Sequence, residues 1–471
     1  MNKPEALTMR HNTLHHPPAM PGGAQAAYDS ALAMLHTGQG DPMRVADELL
    51  RTHPEFVGGH CLRVALLVMA TREDAQLELA CALKAARALP AGLASERERR
   101  HFDAADAWLA RDLKRALQLY GEIVVDHPRD TLALRVAHFG DLQWGRTEQL
   151  RDRVAAVLPH WHEGLPGYGH VLGMYAFGLA EAGEHARAEQ VGRRALVFSP
   201  QNAGAIHAVA HAMEMQGRAA DGIAWLQDTR SAWEHSSYST HLWWHLALFH
   251  LDIGDVPAAL QIHDRRLHTR PGFDASAMVD ASALLWRLHL RGVDVDARWQ
   301  ALADSWAAQP LAGLRPFIDT HAMLAYVGAG RPGLARWLVQ ELRASALRSR
   351  DLDEVVYQAA LPVCDALMRF GAGDYAAAAA GIVRYRHLTE RCGGSRAQCD
   401  LLHLTLLEAA VRSGQAELAR SLVAERTALR PRSRFNQWVK AHVDRVCAMA
   451  ATGPSHSAPM TAAARPLLLA A

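Results

Sequence analysis

The chain has 471 residues, with 50 Lys and Arg against 49 Asp and Glu, for a formal net charge of +1. That balance excludes a generic nucleic-acid or anionic-membrane binder, which carries a basic surplus or stripe. No apolar run has bilayer length, the first twenty residues lack an apolar signal core, and the six scattered cysteines include no CxxC pair, so a reduced, cytoplasmic setting is the expectation.

In chain order, residues 1–23 contain HHPPAMPGG, whose composition cannot bury a core, and are expected to be unstructured. A first helical unit is placed near Gly40-Asp41, and a degraded one between it and residue 100. The segment ARDLKRALQLYGEIVVDHP follows, with apolar Leu113, Ala116, Leu117 and Tyr120 at helical spacing and Arg111 in the turn. Equivalent turns then recur at Gly145, Gly183, Gly217, Gly254, Gly292, Gly330, Gly373 and Gly414. Their intervals run from 34 to 38 residues as far as Gly330, then widen to 43 and 41.

The clearest unit is Thr240–Pro271. Trp243, Leu246 and Ala247 take the apolar and small places of its first helix, and Gly254-Asp255 makes the turn. Ala259 is the small residue of the second helix and Pro271 ends the unit. A period near 34 residues with two helices per unit is the tetratricopeptide pattern. One hairpin buries too little apolar surface alone, so neighbours must stack. The expected fold is all-α: a right-handed superhelical solenoid of about 9–11 tetratricopeptide-like hairpins, one domain over 24–450, with an unstructured tail at 451–471.

Several stretches together carry a more specific resemblance: PGYGHVLGMYAFGLAEAG (166–183), HAVAHAMEMQGR (207–218), HLWWHLALFHLDIGD (241–255), DASALLWRL (280–288), DTHAMLAYVGAG (319–330) and GGSRAQCD (393–400). In this order they resemble the tetratricopeptide repeat protein 38 family, over roughly residues 95–440. That family's pattern continues the GGS stretch with His and then Arg, where this chain has Arg396 and Cys399. The resemblance implies the helical-repeat fold and brings no settled activity.

The 27 histidines matter through their placement. His207, His211 and Glu214 stand at i, i+4 and i+7 of one first helix, within about 60° of one another. His241 and His245 repeat the i, i+4 relation one unit later. In tetratricopeptide arrays the first helices line the concave groove. Counted from the turns, His170, His207, His211, Glu214, His241 and His245 all take groove-facing places in three consecutive units, with His321 closing over them from further along. Packed helices lie about 8–10 Å apart, so imidazoles from two of them can meet around one atom.

Three chemistries use such a set. A divalent metal could be held by His207, His211, His241 and His245. An acid–base pair could share a substrate proton, or the imidazoles could bond a bound peptide. Single histidines in helical repeats are more often satisfied core residues, and no HExxH, GxSxG or Gly-rich phosphate motif is present. Trp244 and Trp286 are expected to wall the groove. Trp243, Trp225 and Trp337 are expected to pack between helices, and Asp280 and Asp319 to cap helix N-termini. The leading expectation is a scaffold that holds a protein or peptide segment in a His-rich groove. The alternative is an enzyme or small-molecule site, metal-dependent or not, in the same groove.

Overall fold

The computed structural model describes residues 22–70, 74–267, 275–309, 315–347 and 355–452. The expected loose segments 1–23 and 451–471 lie almost wholly outside these, although the first and last helices run Gly22–Thr37 and Arg434–Thr452. Every described element is helical. The helices alternate as antiparallel hairpins from Gly22–Thr37 with Pro42–Thr52 to Arg396–Arg412 with Ala416–Leu429, and a final helix caps the stack. Eleven such pairs are present among the described residues, the upper end of the expected range. No helix among the described residues is long and apolar enough to cross a membrane.

The turns form where expected, for a local reason. Gly145, Gly183, Gly217, Gly254, Gly292, Gly330, Gly373 and Gly414 all have φ between 61° and 88°, and so does Arg111, at 62°. A left-handed residue ends one helix without a Cβ penalty when it is glycine. The next residue then starts the partner helix. Asp112, Asp255 and Asp374 each follow a left-handed residue and accept a hydrogen bond from the backbone N–H three residues on. Glycine followed by aspartate therefore specifies both halves of the turn.

The two helices of a hairpin differ in how they are wrapped. The second helix His185–Phe198 buries only Ala188, Gly192 and Ala195, the single stripe of an amphipathic surface helix. The first helix Ser239–Asp252 buries every residue from Leu242 to Phe249, and Leu251 as well. A helix buried all round has something on its inner face. Here it is the chain itself.

Helix Arg396–Arg412 lies against helix Ala275–Leu290. Trp286 Nε1 donates to Thr405 Oγ1 at 2.8 Å, and Arg287 donates to the Ala397 carbonyl at 2.7 Å. Further on, Arg430 reaches Met215 Sδ at 3.2 Å. The N-terminal hairpins are bonded to later ones as well: Gln39 Nε2 donates to Ala232 O at 2.8 Å, and Arg315 donates to Ala70 O at 3.2 Å. Gly393 and Gly394 make the closest approach, at φ of 95° and 85°. A Cβ on Gly393 would run into the Gln143 backbone, and one on Gly394 into the Phe317 ring. The concave face is thus filled by the chain rather than left as an open trough.

The turns supply a direct stability test. A Cβ on Gly183 would meet nothing within 4 Å, so Gly183→Ala isolates the cost of the left-handed backbone. It should destabilise the protein by about 1 kcal/mol in urea melts. Arg111→Gly, which relieves the same strain, should shift stability the other way. Loss of stability in both would mean that side-chain contacts, not the sign of φ, govern these turns.

Candidate metal centre

Helix Ala203–Met215 carries His207 and His211, and helix Ser239–Asp252 carries His241 and His245. The i, i+4 spacing puts each pair on one face, and the two helices turn those faces toward each other. All four imidazoles converge: one nitrogen from each lies within 4.8 Å of the others. The Nε2 atoms of His207 and His211 are 2.8 Å apart. The side chains of His211 and His245 are fully buried, while that of His241 keeps 22% of its surface exposed and forms the edge that meets solvent.

Behind three of these rings stands a carboxylate. His245 Nδ1 is 2.8 Å from Glu214 Oε2, and His241 Nδ1 is 2.9 Å from both oxygens of Asp280. His211 Nδ1 lies 3.0 Å from Glu181 Oε1, close enough for an ion pair but out of line for a hydrogen bond. Carboxylates in this position fix the ring and leave Nε2 as the inward donor. Glu181 is itself held from outside: the Arg396 backbone N–H donates to its Oε2 at 2.8 Å. That donor sits at the start of a helix whose Ser395 and Gln398 form a capping box. The GGS stretch therefore reaches the centre through Glu181, using backbone rather than the side chains of Arg396 or Cys399.

Aromatic rings close the sides. Phe177 stacks on His207 with centroids 5.2 Å apart and meets His211 edge-on at the same distance. Trp244 stacks on His241 at 5.1 Å, and Tyr238 leans on His207 at 5.5 Å. In this setting burial, with the imidazoles of His211, His241 and His245 around it, holds His207 well below the usual histidine range. Burial, then His211 and His241, does the same for His245. Burial pushes the Glu214 carboxyl up. Neutral imidazoles have lone pairs free to ligate.

An ion about 2.0–2.1 Å from four tetrahedral nitrogens needs them about 3.3 Å apart. The present separations, 2.8 Å at the His207–His211 pair and up to 4.8 Å across the set, straddle that value. The His245 Nε2 is buried and has no hydrogen-bond partner among the described residues. An orphan of this kind costs about 1–3 kcal/mol unless something binds it.

The other sequence candidates are placed differently. His170 does not join the set; it stacks on His36, with centroids 5.2 Å apart, where the first hairpin folds over the fifth. His321 is buried elsewhere, with Nδ1 2.8 Å from the Phe317 carbonyl, beside Cys392 and Cys399. Glu214 is near the four converging imidazoles but stands behind His245, bonded to its Nδ1. Trp244 and Trp286 take the expected inner register, yet both are fully buried, Trp286 against Thr405 of the helix Arg396–Arg412 and Trp244 under the Arg287 guanidinium. Asp280 and Asp319 are not caps: both lie inside helices, Ala275–Leu290 and Pro316–Gly328. Burial raises Asp319 to about 7, and its Oδ2 has no hydrogen-bond partner among the described residues.

Glu181 and the true role of Asp280 escaped the sequence. The available signal was spacing: Glu181 precedes His211 by 30 residues and Glu214 precedes His245 by 31, each close to one repeat. Residues one repeat apart on first helices face each other across the stack.

No family model matches the chain. Among solved structures it is similar to a chain in the crystal structure of the APC/C hetero-tetramer Cut9-Hcn1. The TM-score is 0.47 at 12% identity, covering 88% of this chain and 69% of that one. A likeness at that level carries no inference about partners. The tetratricopeptide-like helical repeat stands on the chain's own hairpins and turns.

The depressed histidines set a pH dependence. Their folded state prefers the neutral ring, so stability is full above about pH 6.5 and is lost as pH falls toward their folded values. Chelator-treated protein should therefore melt progressively lower between pH 7 and pH 5. His207→Leu, which removes one such group without stranding a carboxylate, should show a shallower fall. Parallel curves for the two proteins would argue against His207 as a neutral buried ring.

Proposed function

We propose that this chain is a metalloprotein in which His207, His211, His241 and His245 hold one divalent transition-metal ion inside the helical solenoid. The observation that carries this reading is the convergence of four imidazoles, three of them backed by carboxylates at Nδ1. Histidine clusters built for core packing need no such ring of acids. Glu181, Glu214 and Asp280 offset the charge of a dication that four neutral ligands leave uncompensated. All-imidazole donors without thiolate suit zinc, copper, iron or nickel.

For an ion that accepts five or six ligands, the partly exposed His241 edge is the side from which a small molecule would complete the coordination. This supports a metal-dependent small-molecule site over a peptide cradle at the same place. A peptide on this inner face would first have to displace the helix Arg396–Arg412 and its bonds to Glu181, Trp286 and Arg287.

Elemental analysis of the purified full chain tests the proposal. About one ion per chain is expected in the wild type. The double variant His211→Ala, His245→Ala should retain almost none, at unchanged helicity by circular dichroism. Glu214→Gln and Asp280→Asn keep all four ligands and should weaken metal binding about 10–100-fold. Equal metal content in wild type and double variant after chelation and reloading would sink the reading.

A further inference from the structure

A second polar cavity lies beside the histidine centre, where the C-terminal hairpin seats on the middle of the solenoid. It holds about 50 Å³, several times the 10–15 Å³ or so that one water requires. Four guanidiniums line it, those of Arg287, Arg291, Arg426 and Arg430, against three carboxylates, those of Glu214, Asp252 and Asp400.

Two of the carboxylates are already engaged. Asp400 accepts from Arg426 at 2.6 and 3.2 Å and from Arg430 at 3.4 Å, and Glu214 holds His245. Asp252 accepts from the Ser433 hydroxyl through Oδ1, while burial raises its carboxyl and its Oδ2 has no hydrogen-bond partner among the described residues. Arg426 and Arg430 are thereby matched.

Arg287 and Arg291 are not. Neither has a carboxylate within ion-pair distance among the described residues. Arg287 is buried and donates to two backbone carbonyls, Ala283 O at 3.0 Å and Ala397 O at 2.7 Å. Arg291 donates to Leu251 O at 2.7 Å and lies 4.0 Å over the Phe435 ring. Each guanidinium has five N–H donors, so most remain unused. Burial pushes both below the usual arginine range, Arg291 to about 9. A desolvated cation with spare donors facing a cavity is stabilised by an anion that accepts in the guanidinium plane.

We propose that this cavity is an oxyanion site, taking a phosphate or carboxylate group between the guanidiniums of Arg287 and Arg291. The site stands on its own cavity and does not depend on metal at the histidines. Glu214 nevertheless borders both, so an anionic molecule held here would lie next to the metal centre.

Calorimetric titration of the full chain tests it, with inorganic phosphate in one arm and malonate in the other. Ionic strength is held constant with chloride, and each arm is run on metal-loaded and chelator-treated protein. Saturable binding is expected in both protein forms, and the arm that binds more tightly identifies the group. Arg291→Gln should weaken it about ten-fold or more, while metal content stays at the wild-type level. Where that variant does not fold, phosphate should protect Arg291 in the wild type from phenylglyoxal, read by peptide mapping. No saturable binding of either anion, an unchanged affinity in Arg291→Gln, or no protection of Arg291 overturns the proposal. Metal content below expectation with anion binding intact would instead count against the histidine centre alone.

Discussion

The centre of this molecule depends on the seating of the C-terminal hairpin against the first helices of the middle repeats. Helical solenoids are ordinarily quasi-one-dimensional, each unit touching only its neighbours. Here the backbone N–H of Arg396 bonds Glu181, 215 positions away in sequence. That contact turns an inner face lined with polar and aromatic residues from a wet groove into an interior. Trp286, which donates to Thr405 of that hairpin, is fully buried, as are Trp244, His211 and His245, and Arg287 and Arg430 line a shared cavity. The double glycine at 393–394 permits the approach, because no side chain fits between it and Gln143 or Phe317.

Burying so many polar groups is costly unless each is paired, and the pairing is unevenly complete. On the outer side Glu214 and Asp280 hydrogen-bond two of the rings, while His211 Nδ1 and Glu181 Oε1 stand 3.0 Å apart without a hydrogen bond. On the inner side His245 Nε2 has no hydrogen-bond partner among the described residues. A self-contained network of core histidines would bond inward, ring to ring, as only His207 and His211 do.

What could be seen in the sequence followed the range of the interaction responsible. Turns are local, and all eight turn glycines, with Arg111, take the left-handed conformation their spacing implies. The i, i+4 histidine pairs are also local, and the two helices that carry them are adjacent repeats, so their meeting was legible too. Exposure was not. Trp244 and Trp286 occupy the inner register, but whether an inner face is wet depends on residues more than a hundred positions away, for which no local pattern exists. His170 was misassigned for the same reason: its register is inner, and the first hairpin, folding back, supplies His36 as its partner. Asp280 looked like a cap because it precedes an apolar run, whereas the helix begins earlier, at Ala275.

The histidine centre changes how the solenoid's stability is distributed. Its imidazoles come from two consecutive hairpins, and the carboxylates behind them extend the set to the hairpin before, through Glu181, and the hairpin after, through Asp280. In a plain repeat array those four units would contribute separately and could fray one at a time. An ion held by all four imidazoles would tie these hairpins to one point, so that they opened together, along with the C-terminal helix that bonds Glu181. An ion that binds the folded state alone adds about 4 kcal/mol at a thousand-fold excess over its dissociation constant. That increment would fall on this central block, where three buried imidazoles, those of His207, His211 and His245, otherwise weaken it. A bound ion would therefore stabilise this block most, and the outer hairpins would gain only through their contacts with it.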